Sequence, residues 1–455
     1  MKRSHEIDMT NGPIFSKVLL FSLPLMMTGI LQLLFNAADM IVVGKFAGSL
    51  ALAAVGSTGS LINLLVNVFI GISTGANVLA ARFYGSHNDA QMQRCVHTSL
   101  AISGVLGVFV SIFGSILSVP MLRLMNTDPD VLPLSALYLR IYFLGIPATV
   151  IYNFGAAILR AIGDTDRPLR FLLVSGVINV ILNLVTVIVF DMSVAGVAIA
   201  TAVSQYVAAA LVVLCLIRSE GSYQLHLKKL CFHKDMVMQI LQIGVPAGLQ
   251  SSIFSISNVV IQSTINSFGS AVMAGSSAAS NLEGFIYTAM NAFYHAALCF
   301  TSQNMGARKY ERLNTVLISC VLGVTFIGFP LSLLAYAFGP QLLSLYISSS
   351  DANLADVIQA GMVRMKYVCI PYFLCGLMEV GSGVQRGLGK AWTPLIISTV
   401  GACVLRIVWI VTVFRLAPTL DMLFISYPIS WGITLSAHFF VIFLTRKAMS
   451  NHRLS

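Results

Sequence analysis

One carboxylate stands inside an otherwise apolar stretch, and it is the residue in this chain best placed to do chemistry. Asp39, in "LLFNAADMIVVGKF", is followed by four nonpolar residues before Gly44. An ionised Asp near the centre of a membrane helix costs about 2.5–3.5 kcal/mol on insertion scales, so such a group pairs, meets water or takes a proton. A carboxyl group drawn out of water holds its proton more firmly, which suits it to carry one. The alternative is a solvated Asp at the outer end of a long helix. Gln32 and Asn36 share the Asp39 face at i−7 and i−3, and Asn179 and Asn183 are one turn apart on another face. Asn183 and Thr201 lie about nine residues either side of a turn near Met192, and Asp39 about eight residues short of a turn near Ala47. At 1.5 Å per residue all three sit about 12–14 Å below the outer end. Asp39, Gln32, Asn36, Asn179, Asn183 and Thr201 therefore describe one polar pocket inside the N-terminal half. The competing explanation is a set of hydrogen bonds that merely pack helices together.

Other polar residues in apolar runs admit two explanations each. Glu283 lies near mid-membrane with Tyr287 at i+4, and it either meets a cationic substrate or forms a structural hydrogen bond. Tyr138 and Asn153 are candidates to line a substrate cleft. Glu379 and Arg386, two turns apart on one face, read as an ion pair without a transport role. Arg140 and Arg364 sit near outer span ends, where snorkelling to headgroups accounts for both. Arg406 lies deeper and argues against a second cation site, and His295 reads as a core histidine. Pro24 and Pro246 free a backbone carbonyl and permit either a hinge or a fixed kink.

The elements that must position these groups follow from composition. The 455 residues are 57% hydrophobic and 10% charged, with a mean hydropathy of +0.86. A soluble protein carries about 25% charged residues, so the bilayer is this chain's solvent. Twelve runs reach spanning length, at 15–43, 50–80, 95–119, 132–158, 169–190, 194–217, 237–265, 272–303, 314–338, 357–386, 393–414 and 422–445. These lengths fit helices, which predicts an all-α polytopic membrane protein with twelve transmembrane helices in two six-helix lobes. The expected domains are residues 1–217 (spans 1–6), a cytoplasmic linker 218–236, and 237–455 (spans 7–12).

Of the Lys and Arg residues, Lys45, Arg123 and Arg415 fall in the loops of one side, and Arg140, Arg364, Lys366 and Arg406 fall within spans. The rest lie in the termini and alternate loops, which places both termini in the cytoplasm. This distribution accounts for the net charge of +10 without nucleic acid. The eight cysteines show neither a CxxC pair nor metal-ligand spacing, and no disulfide framework is expected. The apolar run after the polar N-terminus is too long for a signal peptide and is expected to remain as span 1.

The two halves are copies. "FSLPLMM" aligns Pro24 with Pro246 of "IGVPAGL", and "FAGSLALAAVG" at Phe46 resembles "FGSAVMAGSS" at Phe268. Gly85 in "RFYGSHN" matches Gly306 in "QNMGARK", "YLRIYFLGIP" matches "MVRMKYVCIP", and "LRAIGDTDRP" matches "QRGLGKAWTP". Six spans per copy is even, so the copies are parallel repeats. Such repeats usually flank a cleft and rock about it.

With those segments in view, the chain resembles the multidrug and toxic compound extrusion (MATE) family. The likeness is carried by "LPLMMTGILQLLFNAADMIVVGKFAG", "QNMGA", "LRAIGDTDRP" and "NVILNLVTVIVFDMSVAGVAIATAVSQ", and it covers nearly the whole chain. The resemblance implies a V-shaped pair of lobes and antiport of organic cations or drugs against protons or sodium ions. It also implies a cation site at Asp39, Asn179, residue 183 and Thr201. Many members carry Asp where this chain has Asn183. One carboxylate is neutralised by one proton, whereas sodium prefers more negative oxygen ligands, so proton coupling is expected, with sodium at the Asp39 site as the alternative.

The expected function is therefore export of amphipathic or cationic small molecules by alternating access in a bacterial cytoplasmic membrane, driven by proton influx. No Walker A loop, HExxH or GxSxG motif is present, so neither an enzyme nor an ATP-driven pump is expected, and no cofactor or structural metal. The partners expected are drug-like substrates and membrane lipid, with the chain working as a monomer. The alternatives are a lipid-linked oligosaccharide flippase or polysaccharide exporter of the wider superfamily, and a sensor or scaffold with a transporter fold.

Overall fold

The computed structural model describes residues 6–125, 127–346 and 354–454, so Lys2 and Arg3 of the charge pattern lie outside the described residues. Twelve long helices follow one another: α1 (Ile14–Ala47), α2 (Leu50–Gly85), α3 (Asp89–Leu124), α4 (Leu132–Ala161), α5 (Asp166–Val189), α6 (Ser193–Arg218), α7 (Lys234–Asn266), α8 (Ser270–Gly306), α9 (Tyr310–Ala337), α10 (Leu354–Gly387), α11 (Trp392–Leu416) and α12 (Leu420–Ala448). No strand occurs among the described residues. Eleven of these helices are long and apolar enough to cross a membrane. The other, α8, has 37 residues and ample length, but its Ser, Asn and Glu side chains lower its hydropathy. Most of those polar groups are buried against protein, including Ser276, Glu283, Ser302, Gln303 and Asn304, so α8 has little need of a lipid-like surface. The protein is thus an all-α polytopic membrane protein with twelve transmembrane helices in two pseudo-symmetric six-helix lobes.

The duplication is written into the backbone. Gly48 and Gly269, which end the loops before α2 and α8, have φ/ψ of 89°/173° and 98°/174°. That region is open essentially to glycine alone, so both turns demand it. After α2 and α8, His87 and Arg308 adopt matching left-handed φ of 54° and 56°. After α4 and α10, Gly163 and Gly389 do the same at 93° and 91°. In each of these last turns an N–H beyond the left-handed residue reaches back to the same helical carbonyl, Asp164 to Leu159 at 2.9 Å and Lys390 to Gln385 at 2.9 Å.

The chain packs as two compact units. The first comprises residues up to 8 and 27–248, the second residues 9–26 and 249 onward. Each of α1 and α7 contributes residues to both units along its length. In the second unit Phe21 stacks edge-on against Phe300 at 5.8 Å. There too the Asn304 amide donates to the Met9 carbonyl at 3.1 Å, and Lys309 donates to the Thr10 carbonyl at 3.0 Å. In the first unit, "GISTG" (71–75) of α2 lies against "GVPAG" (244–248) of α7. A Cβ on Gly71 would stand 2.3 Å from the Gly248 Cα, and one on Gly75 would stand 2.1 Å from the Ile240 carbonyl oxygen. Paired small residues at this spacing let helix backbones touch, the usual way membrane helices associate without a hydrophobic driving force.

The segment 219–233 is also held in the first unit. The backbone N–H of His226 donates to His97 Nε2 at 3.0 Å, and Glu6 accepts from the hydroxyls of both Tyr84 and Tyr223 at 2.6 and 2.7 Å. Burial and the Glu6 carboxylate together push the Tyr223 phenol above its ordinary range. Each unit has an apolar core: Val43, Ala54, Tyr138, Val187 and Val197 in the first, Ile261, Met378, Phe424, Tyr427 and Trp431 in the second. The outer faces stay apolar as well, with Ile116, Val189, Phe190, Val259, Phe326 and Phe443 all exposed. An apolar exterior around polar buried groups is what lipid selects.

Candidate cation site in the first unit

Three helices bring the site together. Asp39 lies near the end of α1, four residues before a wider π-type turn at Val43–Ala47. Asn179 and Asn183 are on α5, and a second π-type turn, Val185–Val189, begins two residues after Asn183. Such turns re-aim side chains and are common beside functional groups. Thr201 comes from α6, which packs along α5 after the turn at Asp191–Ser193, where both named residues are left-handed.

The hydrogen bonds fan out from Asn183. The Thr201 hydroxyl donates to the Val197 carbonyl at 2.9 Å, leaving its lone pairs to accept from Asn179 Nδ2 at 3.5 Å. Asn179 Oδ1 accepts from Asn183 Nδ2 at 3.3 Å, and the same Nδ2 donates to Asp39 Oδ1 at 2.5 Å. Asn183 thus donates both ways, to the Asp39 carboxylate and into a chain that runs away from it through Asn179 and Thr201 to the Val197 carbonyl. Asn183 is 0% exposed, and its own Oδ1 is buried with no hydrogen-bond partner among the described residues. Asp39 pairs with no basic side chain among those residues. The cluster therefore holds a surplus of acceptors: a carboxylate that is acceptor-only when ionised and an orphaned amide carbonyl. No group of three or more His, Cys, Asp or Glu able to hold a metal is found among the described residues.

Asp39, Asn179, Asn183 and Thr201 are thus brought together. Gln32 and Asn36, expected to share the pocket, are exposed and make no hydrogen bond to it. Sharing a helix face with Asp39 does not give them the same neighbours: at that level α1 meets α5 through the Phe35 ring against Gly176, while Gln32 and Asn36 stay exposed. Tyr138 is in the apolar core beside Val42 and Val43 and stacks with Tyr142 at 6.1 Å. Asn153 is half-buried and donates to the Thr149 carbonyl of its own helix at 2.9 Å. Pro24 and Pro246 lie inside α1 and α7, each just before the residue where its helix changes unit.

In the second unit the sequence expectations need correction. Glu283 is no free partner for a cationic substrate: Arg364 grips both of its oxygens, Nε to Oε1 at 2.9 Å and Nη2 to Oε2 at 2.7 Å. Arg364 also donates to Ser276 Oγ at 2.8 Å and is 7% exposed, so it does not snorkel to headgroups. A mid-membrane carboxylate compels such a partner, and that was the available signal. Tyr287, one turn from Glu283, is instead exposed. Arg386 bonds Tyr294 Oη at 2.5 Å and Gln250 Oε1 at 2.7 Å rather than Glu379. Sequence reasoning passed over His438, which is fully buried between Ser398 Oγ at 3.1 Å and Gln385 Oε1 at 3.2 Å. Nothing in its sequence surroundings marks it.

Known proteins match along the whole length. "Probable multidrug resistance protein YoeA" of Bacillus subtilis is 29% identical over 394 residues, 85% of this chain and 84% of that protein. "Probable multidrug resistance protein YpnP" of the same organism is 27% identical over 399 residues, 88% of each chain. The solved outward-facing conformation of a multidrug resistance MATE family transporter of the MOP superfamily superposes with a TM-score of 0.91 at 21% identity, covering 99% of this chain and 100% of that one. The MatE family model matches twice, over residues 24–185 and again over 246–412, once in each repeat. With both repeats matched, this chain belongs to the MATE family of multidrug efflux transporters.

Proposed function

We propose that the protein is a secondary antiporter that exports amphipathic or cationic small molecules, exchanging them for a proton carried on Asp39. The observation that carries this is Asn183, which donates at once to Asp39 and to a chain running through Asn179 to Thr201, beside a carboxylate that no basic side chain pairs among the described residues. Protonation reverses the chain. The Asp39 hydroxyl donates to Asn183 once the amide turns its Oδ1 toward it, Asn179 turns in step, and the Thr201 hydroxyl swings from the Val197 carbonyl to Asn179 Oδ1. One proton thereby changes the polarity of contacts among α1, α5 and α6. Moving one charge through the membrane potential is worth about 2.3 kcal/mol per 100 mV, enough to drive useful export.

The shift is proposed to repack α1 about Pro24, whose missing N–H already weakens the helix there. The relatives named as probable multidrug resistance proteins support drug-like substrates. By the same reading the protein works as a monomer in the bacterial cytoplasmic membrane, with both termini inside and no cofactor. Its domains are residues 1–217 and 237–455, joined by the cytoplasmic linker 218–236.

Sodium is the second reading, and one observation favours it: the orphaned Oδ1 of Asn183 beside the Asp39 carboxylate offers hard oxygen ligands for a small cation. The deciding experiment reconstitutes the protein in liposomes and follows a fluorescent organic cation under an imposed pH gradient or an imposed sodium gradient. Flux driven by the pH gradient without sodium supports proton exchange. Flux that responds to sodium alone overturns it.

A further inference from the structure

The second unit buries an arginine that has no counter-ion among the described residues. Arg406, on α11, is 3% exposed. Its Nε donates to Ser430 Oγ at 2.8 Å, and its Nη2 is buried with no hydrogen-bond partner among the described residues. Neither acid in that unit's interior serves it: Glu283 is taken by Arg364, and Glu379 forms no ion pair with it. Aromatic rings enclose the guanidinium instead. Its central carbon lies 4.1 Å from the Tyr427 ring centroid and 5.3 Å from that of Trp431, and Tyr372 stacks edge-on against Trp431 at 5.1 Å.

Ring faces attract a cation but accept none of its in-plane hydrogen bonds, so the Nη2 N–H groups stay unmet. A guanidinium withdrawn from water is retained when a planar oxyanion can take two parallel bonds from its fork. The rings make the surroundings of the guanidinium apolar and aromatic, the chemistry that an aromatic carrier of the oxyanion would match. We infer that Arg406, with Ser430, Tyr427 and Trp431, forms an anion site that takes an oxyanion group, carboxylate or phosphate, carried on an aromatic molecule or supplied as the free ion. The site lies wholly within the second unit and goes beyond the exchange of protons at Asp39, on which it does not depend.

Trp431 provides the readout. The chain has three tryptophans, and Trp392→Phe with Trp409→Phe leaves Trp431 as the sole emitter. In detergent, without any ion gradient, this protein is titrated with 1-naphthoate, 1-naphthylmethylammonium and inorganic phosphate at constant ionic strength. A saturable change in Trp431 emission is expected with naphthoate and none with the ammonium compound. Phosphate that competes at equal affinity identifies the free ion as ligand; naphthoate that binds more tightly identifies the ring-borne group. Arg406→Gln is expected to weaken binding about tenfold or more, the scale of a lost charge-assisted pair. Arg406→Lys, which keeps the charge and loses the planar fork, covers the case where the first variant does not fold, and a several-fold loss is expected. A flat titration with both anions, equal response to the ammonium compound, or affinity unchanged in both variants overturns the site. Because no gradient is applied, a failure of proton coupling leaves this result unaffected.

Discussion

Asn183 gives a hydrogen to Asp39 at 2.5 Å while its own carbonyl oxygen lies buried without a donor. The pair is therefore half-satisfied, and a half-satisfied buried polar pair is poised to accept whatever completes it.

Replacing the carboxylate tests that pair most directly. Asp39→Asn keeps the shape and removes the exchangeable proton. Gradient-driven transport at 100 mV is expected to fall about fiftyfold, since the driving charge of roughly 2.3 kcal/mol per 100 mV is lost, while substrate binding at equilibrium is retained. Asn183→Asp adds a second carboxylate, and sodium-stimulated flux is expected to rise. Transport rates in liposomes under each gradient check both, and wild-type coupling in Asp39→Asn would remove Asp39 from the mechanism.

The far end of the chain carries its own prediction. Thr201 accepts from Asn179 and donates to Val197. Thr201→Val removes the only group able to turn its hydrogen around, so transport is expected to drop about tenfold, equivalent to about 1.4 kcal/mol for one buried hydrogen bond. Thr201→Ser keeps the hydroxyl and should transport nearly as wild type. Equal loss in both variants would assign Thr201 to packing rather than to proton relay.

How much of this was legible in the residues themselves depends on what kind of contact is asked for. The spans and the repeat were readable because lipid permits one solution, and paired turn residues such as Gly48 and Gly269 mark it twice. Depth below a turn is arithmetic, so Asp39, Asn183 and Thr201 could be placed at one level. Rotation about a helix axis is not arithmetic. Gln32 and Asn36 share the Asp39 stripe yet face elsewhere, and Arg364, 81 residues from Glu283, meets it only because α10 and α8 turn those faces together. The unit limits were hidden for a related reason. A helix whose two halves pack in different units reads as one uninterrupted apolar run.

The α2–α7 contact predicts a sharp difference between two glycines on one helix. Gly75→Ala places a methyl group 2.1 Å from the Ile240 carbonyl oxygen, backbone that cannot swing aside, while a Cβ at Gly59 meets nothing within 4 Å. The first change should destabilise by about 1–3 kcal/mol through overpacking. The second should be neutral or stabilising by up to about 1 kcal/mol through helix propensity. Thermal unfolding in detergent, read by circular dichroism, separates them; similar midpoints would mean that α2 and α7 do not touch there.

The Glu283–Arg364 pair makes the last prediction, and its sign distinguishes a structural pair from a substrate site. Both partners are buried, the geometry is bidentate, and Ser276 satisfies a further Arg364 donor. Removing the acid alone strands a guanidinium in an apolar interior, a change that costs about 3–5 kcal/mol in comparable buried pairs. Glu283→Gln is therefore expected to lower the unfolding midpoint strongly. The double variant Glu283→Gln/Arg364→Met removes the stranded charge and should recover most of that loss, because a buried ion pair and an apolar pair of similar volume are often nearly equal in stability. Ser276 then keeps a small, solvable deficit. If Glu283 instead served mainly to meet a cationic substrate, Glu283→Gln would leave stability near wild type and raise the substrate concentration for half-maximal transport. Unfolding midpoints for the two single variants and the double variant, set beside that transport concentration, decide between the roles, and a double variant as unstable as the sum of its singles would show that the two side chains do not interact.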